Sequence, residues 1–341
     1  MKLHNRKPDM ENLYRVLRNE EPSRPTLFEL FMNRPLYERL AGRKLTDDSP
    51  LEGLKLVVEA YAAAGYDYST THGSAFGFGT RKNIERRNTI SLNQGFVITD
   101  EESYNDYEWP NPSDSDFSRL EKIRPFLPEG MKLMCMGPGG VLENVIALTG
   151  YDNLCFMIHD NPALVKEIFD HVGGTLLKYY EIAVQYDTVG LLMSNDDWGF
   201  KTQTFLSPAD MRKYVFPWHK KYAELAHSKK IPALLHSCGF ATDIMDDIIN
   251  YIGFDGKHSF EDAIVPIEDS YELYQGKIAL LGGIDVDFVV KHSEEEIIAR
   301  SRAMLKRTQG RGGYALGTGN SVPEFIPQDH FIALLRAALE Y

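Results

Sequence analysis

From about residue 131 onward, short apolar runs alternate with amphipathic stretches. Met131 to Met136 has the pattern of a strand. Asn161 to Tyr186 carries the spacing of a long helix, opened by Asp160, Asn161 and Pro162 as cap and first-turn residues. Thr188 to Ser194 is a strand, and Ser207-Pro208-Ala209-Asp210 starts a helix that runs to about Ser228. Strand Ile231 to Leu235 follows, then helix Ala241 to Ile252 with Thr242 as its cap, then strands Asp255 to Phe260 and Lys277 to Gly282. Ser293-Glu294-Glu295-Glu296 opens a helix as a capping box, Gly313 to Leu316 is a last strand, and Gln328 to Tyr341 closes the chain as an amphipathic helix. Strand–helix alternation at this spacing predicts a parallel sheet with crossover helices. A doubly wound sheet and a (β/α)8 barrel both satisfy it, and no Gly-x-Gly-x-x-Gly follows an early strand to favour a dinucleotide-binding form.

The first 130 residues are less regular. Thr26 to Met32 is a candidate first strand, Leu51 to Gly65 a helix, Tyr66 to Thr71 a second strand, and Ile90 to Thr99 a small hairpin. Between 72 and 118 the chain is rich in Gly, Asn, Asp and Ser, yet it carries Phe76, Phe78, Tyr104, Tyr107 and Trp109. Long irregular segments inside compact domains are commonly functional, and aromatic side chains are costly to leave in water, so this stretch is read as a lid whose Tyr107 and Trp109 cover a substrate. The whole chain, 1–341, is read as one domain with that insertion.

Composition narrows the function classes. With 341 residues, 43% hydrophobic and 25% charged, the chain is ordinary for a globular protein and can bury a large core. A net charge of -12 leaves no basic face for nucleic acid. Met1 to Arg15 is polar, without the apolar centre of a signal peptide, and no apolar run approaches the ~20 residues of a membrane span. The three cysteines, Cys135, Cys155 and Cys238, form no disulfide framework, which fits a reducing cytoplasm where a thiolate can serve as ligand or nucleophile.

The chemistry gathers at strand ends. Strand 231–235 runs into His236-Ser237-Cys238-Gly239, and side chains two apart on a strand point the same way, so imidazole and thiolate converge. A buried histidine beside a small apolar cysteine is the plain alternative. The neighbouring ends shift the balance: Asn195-Asp196-Asp197 after 188–194, Glu261-Asp262 after 255–260, Ile284-Asp285 after 277–282, and Gly317-Thr318-Gly319-Asn320 after 313–316. In a parallel sheet these ends share the face that carries the site. Asp262 and Asp285 also suit turns and helix caps. His236, Cys238 and Glu261 offer N, S and O ligands with a fourth position open, the pattern of catalytic zinc.

With these residues aligned, the chain resembles the uroporphyrinogen decarboxylase-like superfamily of (β/α)8 barrels. The resemblance runs from roughly Tyr151 to the C-terminus and more weakly to the start. It rests on Asn195-Asp196-Asp197-Trp198-Gly199, Leu206-Ser207-Pro208, His236-Ser237-Cys238-Gly239, Gly282-Gly283-Ile284-Asp285 and Gly312-Gly313-Tyr314 with Pro323 and Pro327. True decarboxylases of the superfamily carry an Arg-Gln-Ala-Gly-Arg motif near the N-terminus, where this chain has Phe28-Glu29-Leu30-Phe31-Met32-Asn33-Arg34. The chain is more similar to the cobalamin-dependent methyltransferase branch, the methylcobalamin:coenzyme M methyltransferases and O-demethylase components. That branch implies zinc on His236, Cys238 and Glu261, and a corrinoid carried by a partner protein. It also implies a second Cys where this chain has Asn320, a change that leaves the metal more electrophilic. On this reading Asp196, Asp197 and Asp285 orient substrate or move a proton, and Asn195, Asn320, Tyr107 and Trp109 contact a methyl ether or thiol. The alternative is a metal-independent decarboxylase in which His236 transfers a proton and Arg81, Arg86 and Arg87 hold a carboxylate.

Overall fold

The computed structural model describes residues 3–80 and 92–341. Its centre is a curled sheet of seven parallel strands in chain order: β1 Tyr68–His72, β2 Lys132–Met136, β3 Val189–Asn195, β4 Ala233–His236, β5 Gly256–His258, β6 Ala279–Leu281 and β7 Tyr314–Ala315. Leu133, Met134, Leu191, Leu192, Leu234, Leu235, Leu280 and Leu281 are fully buried. Parallel strands covered on both faces need such continuous apolar runs rather than alternation, which is why the sequence pattern was legible here.

Crossover helices lie where the pattern predicts. Asn161 caps helix Pro162–Ala183 by accepting from Leu164 N, and Ser207 caps the helix begun at Pro208 by accepting from Asp210 N. Ser293 and Glu296 close the predicted capping box of helix Glu294–Thr308. Thr242 is not a cap: it lies inside the short helix Thr242–Ile244, which begins after Ala241. Helices that the pattern does not predict include Met10–Leu17, Arg34–Ala41, the pair Val141–Thr149 and Tyr151–Asp160 ahead of Pro162–Ala183, and Ile267–Tyr274 between β5 and β6.

The segment 26–32 forms no regular strand. It makes isolated parallel bridges, Leu27 to Leu316 and Met32 to Val322, and so lies along the far side of β7. Among the described residues it makes no bridge to β1. The predicted hairpin 90–99 lies partly outside the described residues, and 92–99 contains turns without strand. No helix among the described residues is long and apolar enough to cross a membrane.

Candidate metal centre

Strand registry brings the strand ends together. Asn195 at the end of β3 pairs with His236 at the end of β4, which pairs with His258 at the end of β5. The loops after β3 and β4 then press backbone to backbone: a Cβ on Gly239, whose φ is +84°, would lie 2.0 Å from Gly199 O. Phe240 N donates to Phe200 O at 2.7 Å, and Cys238 N donates to Asp197 Oδ1 at 2.9 Å. The result is a cluster of Asp197, His236 and Cys238 whose ligand atoms all lie within 4.8 Å of one another. His236 Nε2 stands 3.6 Å from Cys238 Sγ and 3.9 Å from Asp197 Oδ1.

The carboxylate in this cluster is that of Asp197, and Glu261 is not among its members. β5 ends at His258, and Glu261, three residues on, lines a cleft of about 760 Å³. Asn320 joins the two regions: its Nδ2 donates to Cys238 Sγ at 3.1 Å, and it lines the same cleft beside Phe260, Phe288 and Phe325.

The other expected site residues have different occupations. Asp196 is fully buried, and its carboxylate accepts from Leu142 N, Glu143 N, Trp198 Nε1 and His219 Nε2 at 2.9 to 3.0 Å. It pins the end of β3 to the amino end of helix Val141–Thr149, where unpaired N–H groups and the helix dipole favour an anion. A Cβ on Gly140 would stand 2.0 Å from Asp196 Cβ, so only glycine permits the approach. Asp285 caps a helix, accepting from Asp287 N, Phe288 N and Asp262 N, while Asp262 pairs with Arg300. Asn195 Oδ1 is buried without a hydrogen-bond partner among the described residues. Tyr107 and Trp109 make ring contact at 4.8 Å, and Trp109 stacks on His171 of helix Pro162–Ala183 at 3.8 Å. Neither lines the cleft. Arg81, Arg86 and Arg87 lie outside the described residues.

Sequence reasoning passed over several ionisable residues near these strand ends whose protonation is shifted by burial. Lys257, within β5, is 3% exposed and donates to Ser259 O at 2.8 Å. Burial lowers its pKa to about 8, against the raising charges of Cys238, Asp197 and Glu261. His258 is fully buried, and burial, then His236 and Lys257, hold it neutral, well below the usual histidine range. Glu143 accepts from Gly140 N at 3.1 Å, and burial followed by the charges of Asp196 and Asp197 pushes its carboxyl up to about 8. Glu29, wholly buried beside Thr318, is likewise raised to about 8 by burial. Lys257-His258 inside the predicted strand 255–260 was the available signal, since an apolar parallel strand needs neither.

In the metal-free cluster, burial pushes the Cys238 thiol up to about 12, and Asp197 adds to the rise. Burial also lowers His236 to about 4, with Asp197 opposing and Lys257 assisting. The cluster thus holds a protonated thiol and a neutral imidazole.

The model of the family described as "Uroporphyrinogen decarboxylase (URO-D)" matches residues 131–341. No curated protein matches the sequence. Among solved structures, a methyltransferase from Methanosarcina mazei is similar over 98% of this chain and 99% of its own, with TM-score 0.70 and 16% identity. A putative vitamin-B12 independent methionine synthase from Listeria monocytogenes follows at TM-score 0.51 and 11% identity, covering 98% of each chain. A B12-independent methionine synthase from Shewanella sp. W3-18-1, in complex with selenomethionine, has TM-score 0.50 and 14% identity over 92% of this chain and 96% of its own. At these identities the likeness is one of fold.

Proposed function

From the premise that this chain belongs to the uroporphyrinogen decarboxylase family, we propose that it is a zinc-dependent methyltransferase on a closed (β/α)8 barrel. It would move a methyl group between a small methyl ether or thiol and a corrinoid carried by a partner protein. The observation that carries this reading is the Asp197, His236 and Cys238 cluster at the strand ends. Its donors suit zinc: a tetrahedral ion bonded at about 2.05 Å to nitrogen and about 2.3 Å to sulfur separates those two atoms by about 3.5 Å. His236 Nε2 and Cys238 Sγ are 3.6 Å apart. A fold shared with a methyltransferase over nearly the full length of both chains agrees with the assignment.

Asp197, His236 and Cys238 would hold the ion, leaving a fourth position for the substrate heteroatom. Zinc supplies Lewis acidity there, stabilising the charge left on oxygen or sulfur. The remaining work belongs to side chains. Asn320 donates to the Cys238 sulfur and so draws charge from it, the opposite of what a second thiolate would do. Phe260, Phe288 and Phe325 offer apolar wall to a substrate entering by the cleft. In an ether substrate the methyl would pass, as a methyl cation, to the electron pair of a reduced corrinoid on the partner, both C–O bond electrons would stay on oxygen, and that oxygen would take up a proton. Glu143, neutral at pH 7 beside Asp197, is the group in reserve for that proton. Asp196 and Asp285 act as frame, and Tyr107 and Trp109 belong to a lid packed on the helix behind β3.

Metal analysis tests the reading. Tag-free protein made with zinc present is expected to hold about one zinc per chain, and Cys238→Ala to hold little. A wild-type protein free of stoichiometric zinc refutes it, as does substrate turnover that survives complete chelation, which would favour the decarboxylase.

A further inference from the structure

Between the first segment of the chain and the metal centre runs a buried line of polar groups. His236 Nδ1 lies 2.8 Å from His258 Nδ1, and His258 Nε2 lies 3.2 Å from the Thr318 carbonyl oxygen. His236 is 7% exposed, and His258 and Thr318 are 0% exposed, so no water competes for these contacts. The line is built into the sheet. A Cβ on Gly282, whose φ is +74°, would stand 2.2 Å from Thr318 O and 3.1 Å from His258 Nε2, so there is room for the contact only because glycine follows the last residue of β6. Phe28 covers the His258 ring with centroids 5.3 Å apart.

The direction of the hydrogen bonds follows from chemistry. A carbonyl oxygen only accepts, so His258 Nε2 carries a hydrogen. In the neutral ring Nδ1 is then a bare acceptor. His236 Nδ1 must therefore donate, which leaves His236 Nε2 with its lone pair exposed toward Cys238 and Asp197. We infer that His258 is a positioning residue: it selects the Nδ1–H tautomer of His236 and fixes that ring with Nε2 presented for metal. The inference rests on the proposed zinc site for its purpose, but the tautomer is a property of the metal-free chain. Partners of this kind are worth about 10–100-fold in metal affinity elsewhere.

Two measurements decide it. The long-range 1H–15N correlation spectrum of metal-free protein, with His236 assigned by its loss in His236→Ala, should give the Nδ1–H tautomer. An Nε2–H tautomer overturns the inference whether or not zinc binds. Zinc affinity by chelator competition should fall about 10–100-fold in His258→Leu, which leaves the His236 N–H without an acceptor. His258→Gln, whose amide can accept from His236 and donate to Thr318, should stay within a few-fold of wild type. Circular dichroism and thermal melting establish that each variant is folded. A folded Leu variant with wild-type affinity, or a folded Gln variant as weak as Leu, overturns the inference. If the Leu variant does not fold, the spectrum and the Gln variant decide.

Discussion

Replacing Glu29 with Gln should stabilise the protein increasingly as pH rises. Glu29 is fully buried on segment 26–32, and no cation faces it among its hydrogen-bond partners. Oε1 accepts from Leu30 N at 3.1 Å, and Oε2 lies 2.8 Å from Thr318 Oγ1. The same threonine hydroxyl also contacts the Asn320 carbonyl oxygen, which can only accept. One hydroxyl proton cannot serve both oxygens, and a proton on Glu29 resolves the conflict. Burial raises its pKa from 4.5 to about 8, against the lowering hydrogen bonds of Thr318 and Leu30. Because the folded pKa lies above the unfolded one, the contribution of the neutral acid is whole below pH 4.5 and is lost as pH climbs to 8. The slope is about 1.4 kcal/mol per pH unit, and the full loss is on the order of 4–5 kcal/mol. Glutamine keeps the shape of the neutral acid and has no proton to lose. Equilibrium urea unfolding at intervals from pH 5.5 to 8.5 should show Glu29→Gln gaining roughly 3 kcal/mol on wild type across that range. Parallel stability curves for the two proteins would refute the reasoning, because they would mean that Glu29 ionises alike in both states.

The neighbouring aspartates should separate cleanly. Asp196→Ala strands two backbone N–H groups, the Trp198 indole and His219, and should cost roughly 3–5 kcal/mol in chemical denaturation, whereas Asp197→Ala should cost roughly 1 kcal/mol yet lose zinc affinity. Zinc binding at pH 7 should release about one proton, from the thiol held at about 12 and none from the imidazole already neutral above about 4. Calorimetry in buffers of different ionisation enthalpy counts that proton, and a count of zero would contradict the assignment of Cys238 as a ligand. Asn320→Cys should place a second thiol against Cys238, raise zinc affinity at least about tenfold under reducing conditions, and strengthen the thiolate-to-metal charge-transfer band of the Co²⁺ form. An unchanged band would show that position 320 does not reach the ion.

The α/β alternation was legible because buried parallel strands must be apolar throughout and the helices between them carry local caps at Asn161, Ser207 and Ser293. The pairing of His236 with Cys238 followed from the two-residue period of a strand. Those are short-range properties, and the chain fixes them by itself. Which carboxylate joins the pair depended on how two loops pack. Asp197 reaches Cys238 because Gly199 and Gly239 let their backbones touch, while Glu261, past the early end of β5, lines the neighbouring cleft instead. Asp196, the neighbour of Asp197, turned instead to a helix that the pattern did not reveal. The line from His236 through His258 to Thr318 joins residues 22 and 60 positions apart. Contacts of that kind come only from strand registry and from the space left at Gly282, neither of which is written in any local stretch of sequence.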